Sequence, residues 1–410
     1  MDYRVYFPSR VFFLIVFLAM AIGGCKSDPE NESRINENKT NIEGEEAIIL
    51  EISEDDFQYS KVFKSFTLKT FQVPEDIIIA EINQYYAYGG FEILVDEPSK
   101  SIFLFSNGSL LKHIHNVGNG PTEYRDIMDT ALDSRRGILA IYDGYSIVLY
   151  QLPDFTFVAK WSDASYRFGE IIYHNGYFYA FRTVPQFSNH PGFLIKIDPE
   201  SGKELVVMAD FPKVYEFVHQ SGTGTLVSHN RSLYFAPPLM PYIVVFDSSD
   251  AIQSQYVFAH SKLIPDYDNL LQSKTVDREK LWTEVTQNFT GFSHLQVSGD
   301  LIYMNAGIRQ LGHRGLYKKG ANKVLFNKAV KNDIPGTGGV LGNFVPNNVG
   351  MHIESVHPED VAGMIGMFTE LKEKYGPLAS LLVKNRLPEL EQLYAKIKDY
   401  NSPVLFCYAF

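Results

Sequence analysis

The apolar positions of this chain fall into short runs separated by turns rich in Gly, Asn, Asp and Lys. Runs of that length with that punctuation predict paired β-strands rather than helices. One unit recurs: Ile102–Phe105 ahead of Asn107-Gly108, then Ile147–Tyr150, Phe193–Ile197 ahead of Asp198 and Gly202, Ile243–Phe246 ahead of Asp247, and Gly315–Tyr317 ahead of Gly320. A partner run precedes each one, opening at Gly90, Gly137, Gly176, Ser232 and Gly299. Phe105, Tyr150, Ile197, Phe246 and Tyr317 lie 45, 47, 49 and 71 residues apart. A period in the high forties, with four short strands per unit, predicts the blades of a β-propeller.

Two stretches lengthen that period. Residues 262–288 and 358–399 read as helical insertions. In the second, Val361, Ile365, Phe368 and Leu371, and then Leu390, Leu393 and Ile397, repeat at helical spacing, and Pro358 and Pro388 suit first turns. With the insertions set aside, Pro403–Phe410 is the inner part of a sixth unit. That unit lacks an outer strand, which Lys64–Thr70 is expected to supply from the other end of the chain. Closing the ring in this way removes an exposed sheet edge. The predicted class is all-β, a six-bladed β-propeller over residues 48–410, closed by N- and C-terminal strands.

Ahead of the propeller stand Arg4 and Arg10, an apolar run from Val11 to Ile22, and Gly23-Gly24-Cys25. The run is short for a membrane span and fits the core of an export signal. Small residues before a cysteine resemble the lipobox of bacterial lipoproteins. That resemblance implies a signal peptide over residues 1–24, with Cys25 taking a diacylglycerol group and palmitate. Residues 25–47 are acidic and almost free of large apolar side chains, and read as a solvated tether.

Charge and composition narrow the picture. A formal charge of −11, with no basic stripe, excludes a general nucleic-acid binder. A chain 45% hydrophobic and 14% aromatic has the means to fold, and two cysteines exclude a disulfide framework. Loss of residues 1–24 makes the chain one charge more negative, so attachment must come from acyl chains rather than anionic headgroups. Lys26, where inner-membrane retention favours Asp, points to the outer membrane by analogy with other lipoproteins, with the side it faces left open.

The segment Asp133–Tyr150 looks like an NHL-type propeller repeat. Val117-Gly118-Asn-Gly120-Pro121-Thr-Glu123-Tyr124 resembles the Gly-x-Gly-Pro-Gly-Glu-Tyr signature of the bacterial six-bladed β-propeller lipoprotein family, departing from it at Thr122. The terminal Asn401-Ser-Pro403-Val-Leu is similar to that family's ending. The likeness covers roughly Ile48 to Phe410 and implies a lipid-anchored six-bladed propeller. The family's molecular function is largely unassigned.

Strand alternation assigns the connections to faces. Links between first and second, and third and fourth, strands emerge together, and the other links emerge opposite. The first set is tight here. The second includes Arg182–Gly192, Ala236–Tyr242, Asn305–Gly315, both helical insertions and the loop around Tyr124. Long loops on a rigid scaffold carry function. On that decorated face Tyr124, Arg182, Phe187, His190, Tyr242, Arg309, His313 and Arg314 mix cations with aromatics, a combination suited to a carboxylate, a phosphate or a sugar face.

No Gly-x-Ser-x-Gly elbow, phosphate loop or His-Glu-x-x-His motif occurs, so no catalytic residue is assigned. His113 and His115 share a strand face but fall on an outermost strand, and Pro121 removes an amide from the Gly118 loop, leaving Glu123 to cap its turn. Cys407 reads as a small buried apolar residue. The expectation is a binding or scaffolding module for a glycan, a peptide or a partner envelope protein, with no cofactor. The alternative is an NHL-like metal-dependent lyase or hydrolase, which requires His219, His229 and His294 to converge on the axis.

Overall fold

The computed structural model describes residues 47–410, apart from 163–166, 184–191, 211–212, 217–224, 261, 266, 268–270, 272–276, 310 and 377–385. Cys25 lies outside them, as do all of residues 1–46, where the signal peptide and most of the tether are expected. Six four-stranded antiparallel blades follow one another around an axis, each ordered from the axis outward. Their innermost strands are Gln84–Tyr88, Asp129–Asp133, Phe168–His174, Leu226–His229, Phe289–Ser298 and Asn343–Phe344. Phe105, Tyr150, Ile197, Phe246, Tyr317 and Phe406 all fall on third strands, so the sequence period is the blade period.

The third strands look continuously apolar because both of their faces are buried. In the last blade Val404, Phe406 and Tyr408 pack toward blade 5. The alternate residues Leu405 and Cys407 pack toward blade 1. Ile243 and Val245 likewise face blade 5, while Val244 and Phe246 face blade 3. A strand sends successive side chains to opposite faces, so a sheet wedged between two others needs apolar residues at every position. Each of the six blade boundaries has its own apolar cluster. Cys407 is 1% exposed, and burial pushes its thiol up to about 11.

The Asp residues that punctuate the sequence hold the turns. Asp143 Oδ1 accepts from the amides of Tyr145 (3.0 Å) and Ser146 (2.6 Å). Asp198 does the same for Glu200 and Ser201, and Asp247 for Ser249 and Ala251. These are Asx turns, which replace lost ladder bonds at the strand ends.

The ring closes as the sequence predicts. Strand β2, Ser65–Lys69, pairs antiparallel with Val404–Ala409 as the outer strand of blade 6. A second device was not legible in the sequence. Strand β1, Ile48–Ser53, inserts between the outer strands of blades 4 and 5 and runs parallel to both. It joins the two blades into one nine-stranded sheet and covers two edges that would template pairing with another chain.

Three helices are described: α1, Arg278–Gln287; α2, Pro358–Tyr375; and α3, Arg386–Ile397. Asp277 caps α1 and His357 caps α2, which carries Pro358 at its start. All three lie in the insertions expected from sequence and on the same face of the ring. None of the described helices is long and apolar enough to cross a membrane. Asn305–Gly315 departs from expectation: it is no long loop but the tip of a hairpin, Leu301–Ile308 with Leu311–Lys318.

Starting the chain at Glu54 removes β1 alone and should lower the melting temperature while the transition stays cooperative. Starting it at Phe71 also removes β2 and should abolish a single cooperative transition by circular dichroism. Identical melting of the two truncations would contradict closure through β2.

Candidate functional site

The six inner strands cannot pack face to face at the axis, and they enclose a cavity of about 300 Å³. Its lining runs from the starts of these strands, at Gln84, Asp129 and Glu170, to the short links at their far ends, at Ser134, Asn175 and Asn348. The cavity therefore reaches the face opposite the helices, the one the sequence marks as bare.

At the inner end a chain of polar contacts ties blade to blade. Gln84 Nε2 donates to Asp129 Oδ1, which also accepts from the Thr130 amide at 2.8 Å. Asp129 Oδ2 accepts from the Ile171 amide of the next blade at 2.6 Å. Glu170 Oε2 takes the Thr225 amide (2.8 Å) and hydroxyl (2.7 Å) of the blade after that. Burial, and then the charge of Glu170, hold the Asp129 carboxyl well above its ordinary range, against the pull of its amide donors. Further round, Gln296 Nε2 donates to Met351 O at 2.9 Å. Asn348 then exchanges two bonds with the Ala87 backbone, 2.9 and 3.0 Å.

The mouth differs in kind. His174 is 3% exposed, its Nδ1 lies 2.7 Å from Ser228 Oγ, and its buried Nε2 has no partner. Burial lowers the pKa of His174, and also that of His229 on the adjacent strand. Arg135 stands exposed on the first link of blade 2, its backbone amide held by Asp133. On the links of that face of the ring, Asp133 is engaged by Arg136 at 2.5 Å and Asp250 by Lys196.

The described sequence candidates on the decorated face are for the most part engaged in the packing. Tyr124 is fully buried and its phenol donates to Lys100 O at 2.9 Å. Arg182 is 0% exposed, bonded to Glu204 Oε2 (2.7 Å) and Gly192 O (3.1 Å). His313 is 4% exposed within a strand, and Tyr242, in the third strand of blade 4, is pushed up to about 12 by burial. Among the described candidates only Arg309 is exposed, at the hairpin tip. Arg314 donates to the Tyr59 phenol and lies 3.7 Å from Glu354 Oε1, in a cluster that pins the N-terminal segment. Phe187 and His190 lie outside the described residues. The physical reason is shared: a long polar side chain at a blade boundary folds inward to satisfy backbone and charge that the two-sided packing buries.

The Gly118 loop is a turn, as expected. Glu123 Oε2 accepts from the Gly120 amide at 2.7 Å, and a Cβ at Gly118 would fall 1.9 Å from that oxygen. His229 and His294 do not converge. His229 lines the cavity, whereas His294 bonds Asn305 and packs on Phe344, and burial drives its pKa down to about 4. His219 lies outside the described residues. Among those described, no three His, Cys, Asp or Glu side chains gather as a metal site. His113 sits exposed on an outer strand and stacks on Phe103, and His115 is exposed just past the end of that strand.

A model of a family described as 6-bladed beta-propeller matches residues 36–340. A Bacteroides fragilis structure described as an exported protein superposes with a TM-score of 0.64 at 15% identity, covering 89% of this chain and 99% of the other. BamB from Moraxella catarrhalis gives a TM-score of 0.39 at 11% identity, covering 62% and 64%. A Bacteroides vulgatus protein gives 0.43 at 10% identity, covering 66% and 87%. No curated protein matches the chain.

A titration checks the electrostatics at the inner end. Burial, then the charges of Asp129, Glu81, Asp126 and Asp96, push Glu97 from its ordinary 4.5 up to about 7. The folded chain holds this proton more tightly than the unfolded one, so the associated stability is full below pH 4.5 and is lost as pH rises through 7. The melting temperature should fall between about pH 5 and about pH 8, and Glu97→Gln should flatten part of that slope. A Gln variant with the parent slope would refute the assignment.

Proposed function

Because the chain belongs to the 6-bladed beta-propeller family, we propose that it is a binding module of the bacterial envelope, held by lipid at Cys25, that takes its ligand in the axial cavity. The observation that carries the reading is the cavity itself, enclosed by all six blades. Ligand sites are concave, largely preformed and set with a few convergent polar groups. A volume of about 300 Å³ suits a molecule of monosaccharide or dipeptide size. The export signal, the lipobox-like Ile22-Gly23-Gly24-Cys25 and the exported Bacteroides fragilis relative of the same fold support an envelope location, with the outer membrane as the destination.

Two experiments test the reading. Cys25→Ala should move the protein from the membrane pellet to the soluble fraction of fractionated cells, and retention in the pellet would refute the anchor. Thermal-shift titrations of the full chain in detergent with neutral sugars, sugar acids and dipeptides should show at least one class raising the melting temperature, since a ligand of the folded state alone stabilises by mass action. Ser134→Trp, which places an indole at the mouth, should abolish the shift. No response to any class, or a response that survives in Ser134→Trp, overturns the axial site.

A further inference from the structure

Asparagine followed by glycine occurs three times, at Asn107-Gly108, Asn119-Gly120 and Asn175-Gly176. The pair has a chemistry of its own. Glycine has no Cβ to shield its amide, so that nitrogen, once it loses its proton, can attack the side-chain carbonyl carbon of the asparagine before it. The fold opposes this step at two of the three pairs. The Gly120 amide donates to Glu123 Oε2 at 2.7 Å, and the carboxylate holds the proton that must leave. Asn175 donates through Nδ2 to Ser248 O at 2.9 Å, which ties its carboxamide to the next blade. Asn107 is exposed, and among the described residues neither its side chain nor the Gly108 amide has a hydrogen-bond partner.

We infer that Asn107 is a site of spontaneous modification, converting to aspartate and isoaspartate by way of a succinimide. The Gly108 nitrogen bonds to Asn107 Cγ, the carboxamide C–N bond breaks, and ammonia leaves with the proton given up by the Gly108 amide. Water then opens the ring, with nothing oxidised or reduced. Opening at the side-chain carbonyl yields aspartate. Opening at the backbone carbonyl yields isoaspartate, whose main chain is longer by one methylene. The position gives this a structural effect. Asn107 and Gly108, with φ of 49° and 77°, are the two left-handed centres of the hairpin turn between Ser101–Ser106 and Ser109–Ile114. Gly108 O accepts from the Gln72 amide at 2.8 Å, and the Leu110 amide donates to Gln72 O at 3.3 Å. Gln72 lies on the stretch that carries the chain from β2 to blade 1, so the turn clamps the exit of the strand that closes the ring. A lengthened main chain breaks the match between this turn and Gln72, and the seam loosens.

The full chain in detergent is incubated at mildly alkaline pH, with and without denaturant. Its peptides are then mapped by mass spectrometry, with chromatographic separation of the aspartate and isoaspartate forms. Without denaturant the Asn107 peptide should be lost to both forms while the Asn119 and Asn175 peptides persist. In denaturant all three should be lost together. The incubated folded chain should melt lower than the fresh one. Asn107→Gly removes the carboxamide and keeps a turn of two left-handed residues, and its melting temperature should hold through the same incubation. Survival of Asn107 in the folded chain, or loss of Asn119 or Asn175 at the same pace, overturns the site. A preference for Asn107 that persists in denaturant overturns its selection by the fold. Modification that leaves the melting temperature unchanged overturns the link to the seam.

Discussion

Every blade is packed between two others, and most of the rest of the structure follows from that. Two-sided burial makes the second and third strands apolar at successive positions, so that Leu405 and Phe406 serve different neighbours. The same requirement explains the aromatic content. The gaps between twisted sheets are wide, and Phe181, Phe193, Phe235 and Tyr215 fill one of them with rings tilted edge to face. It also fixes what must happen at the two places where a blade runs out of neighbours, its outer edge and the axis.

At the outer edge the chain spends its own N-terminal segment, β2 on blade 6 and β1 between blades 4 and 5. At the axis no such cover is available. The inner strands diverge, their polar edges face a cavity, and the bonds that in a flat sheet would go to a neighbouring strand go to side chains of the next blade. Asp129 and Glu170 do this with carboxylates aimed at backbone amides, contacts stronger than neutral ones. The raised pKa of Asp129 is a consequence: its carboxyl is buried there, and a second acid, Glu170, stands near it because two blades each need an acceptor. The cavity is what remains between the inner strands, lined at its far end by Ser134, Asn175 and Asn348.

This account explains which features were legible in the sequence. The third strands were, because burial on both faces leaves an unbroken apolar run. The helical insertions were, because a packed helix keeps a 3.6-residue stripe. The site was not, because inner-strand residues such as Glu170, His174 and Ser228 follow no motif and are brought together by rotation about the axis. Asn305–Gly315 misleads for a definite reason. Its glycines look like loop residues, yet they serve close approach within a strand: a Cβ at Gly307 would sit 1.9 Å from Thr290 Oγ1, and one at Gly315 would sit 2.7 Å from the Phe326 ring. Arg182 and His313 likewise resemble ligand-binding residues in sequence, and burial converts them into structural ones.

The closure carries one more physical consequence. Tyr59, just ahead of β2, donates to Glu354 and accepts from Arg314, while His352 lies 3.1 Å from the same Glu354 oxygen. Burial alone would raise the carboxyl of Glu354, and the contacts with His352 and Arg314 outweigh it and hold the carboxyl below its ordinary value. Replacing such a cluster by apolar side chains often leaves stability unchanged, so net stability is a poor reason for its presence. Registry is a better one. A slip of two residues keeps the same face of β2 toward blade 6, whereas Tyr59 meets Glu354 and Arg314 in one register only. A ring closed by a strand from the far end of its own sequence needs that discrimination at the seam, and blades 1 to 5, built from consecutive hairpins, do not.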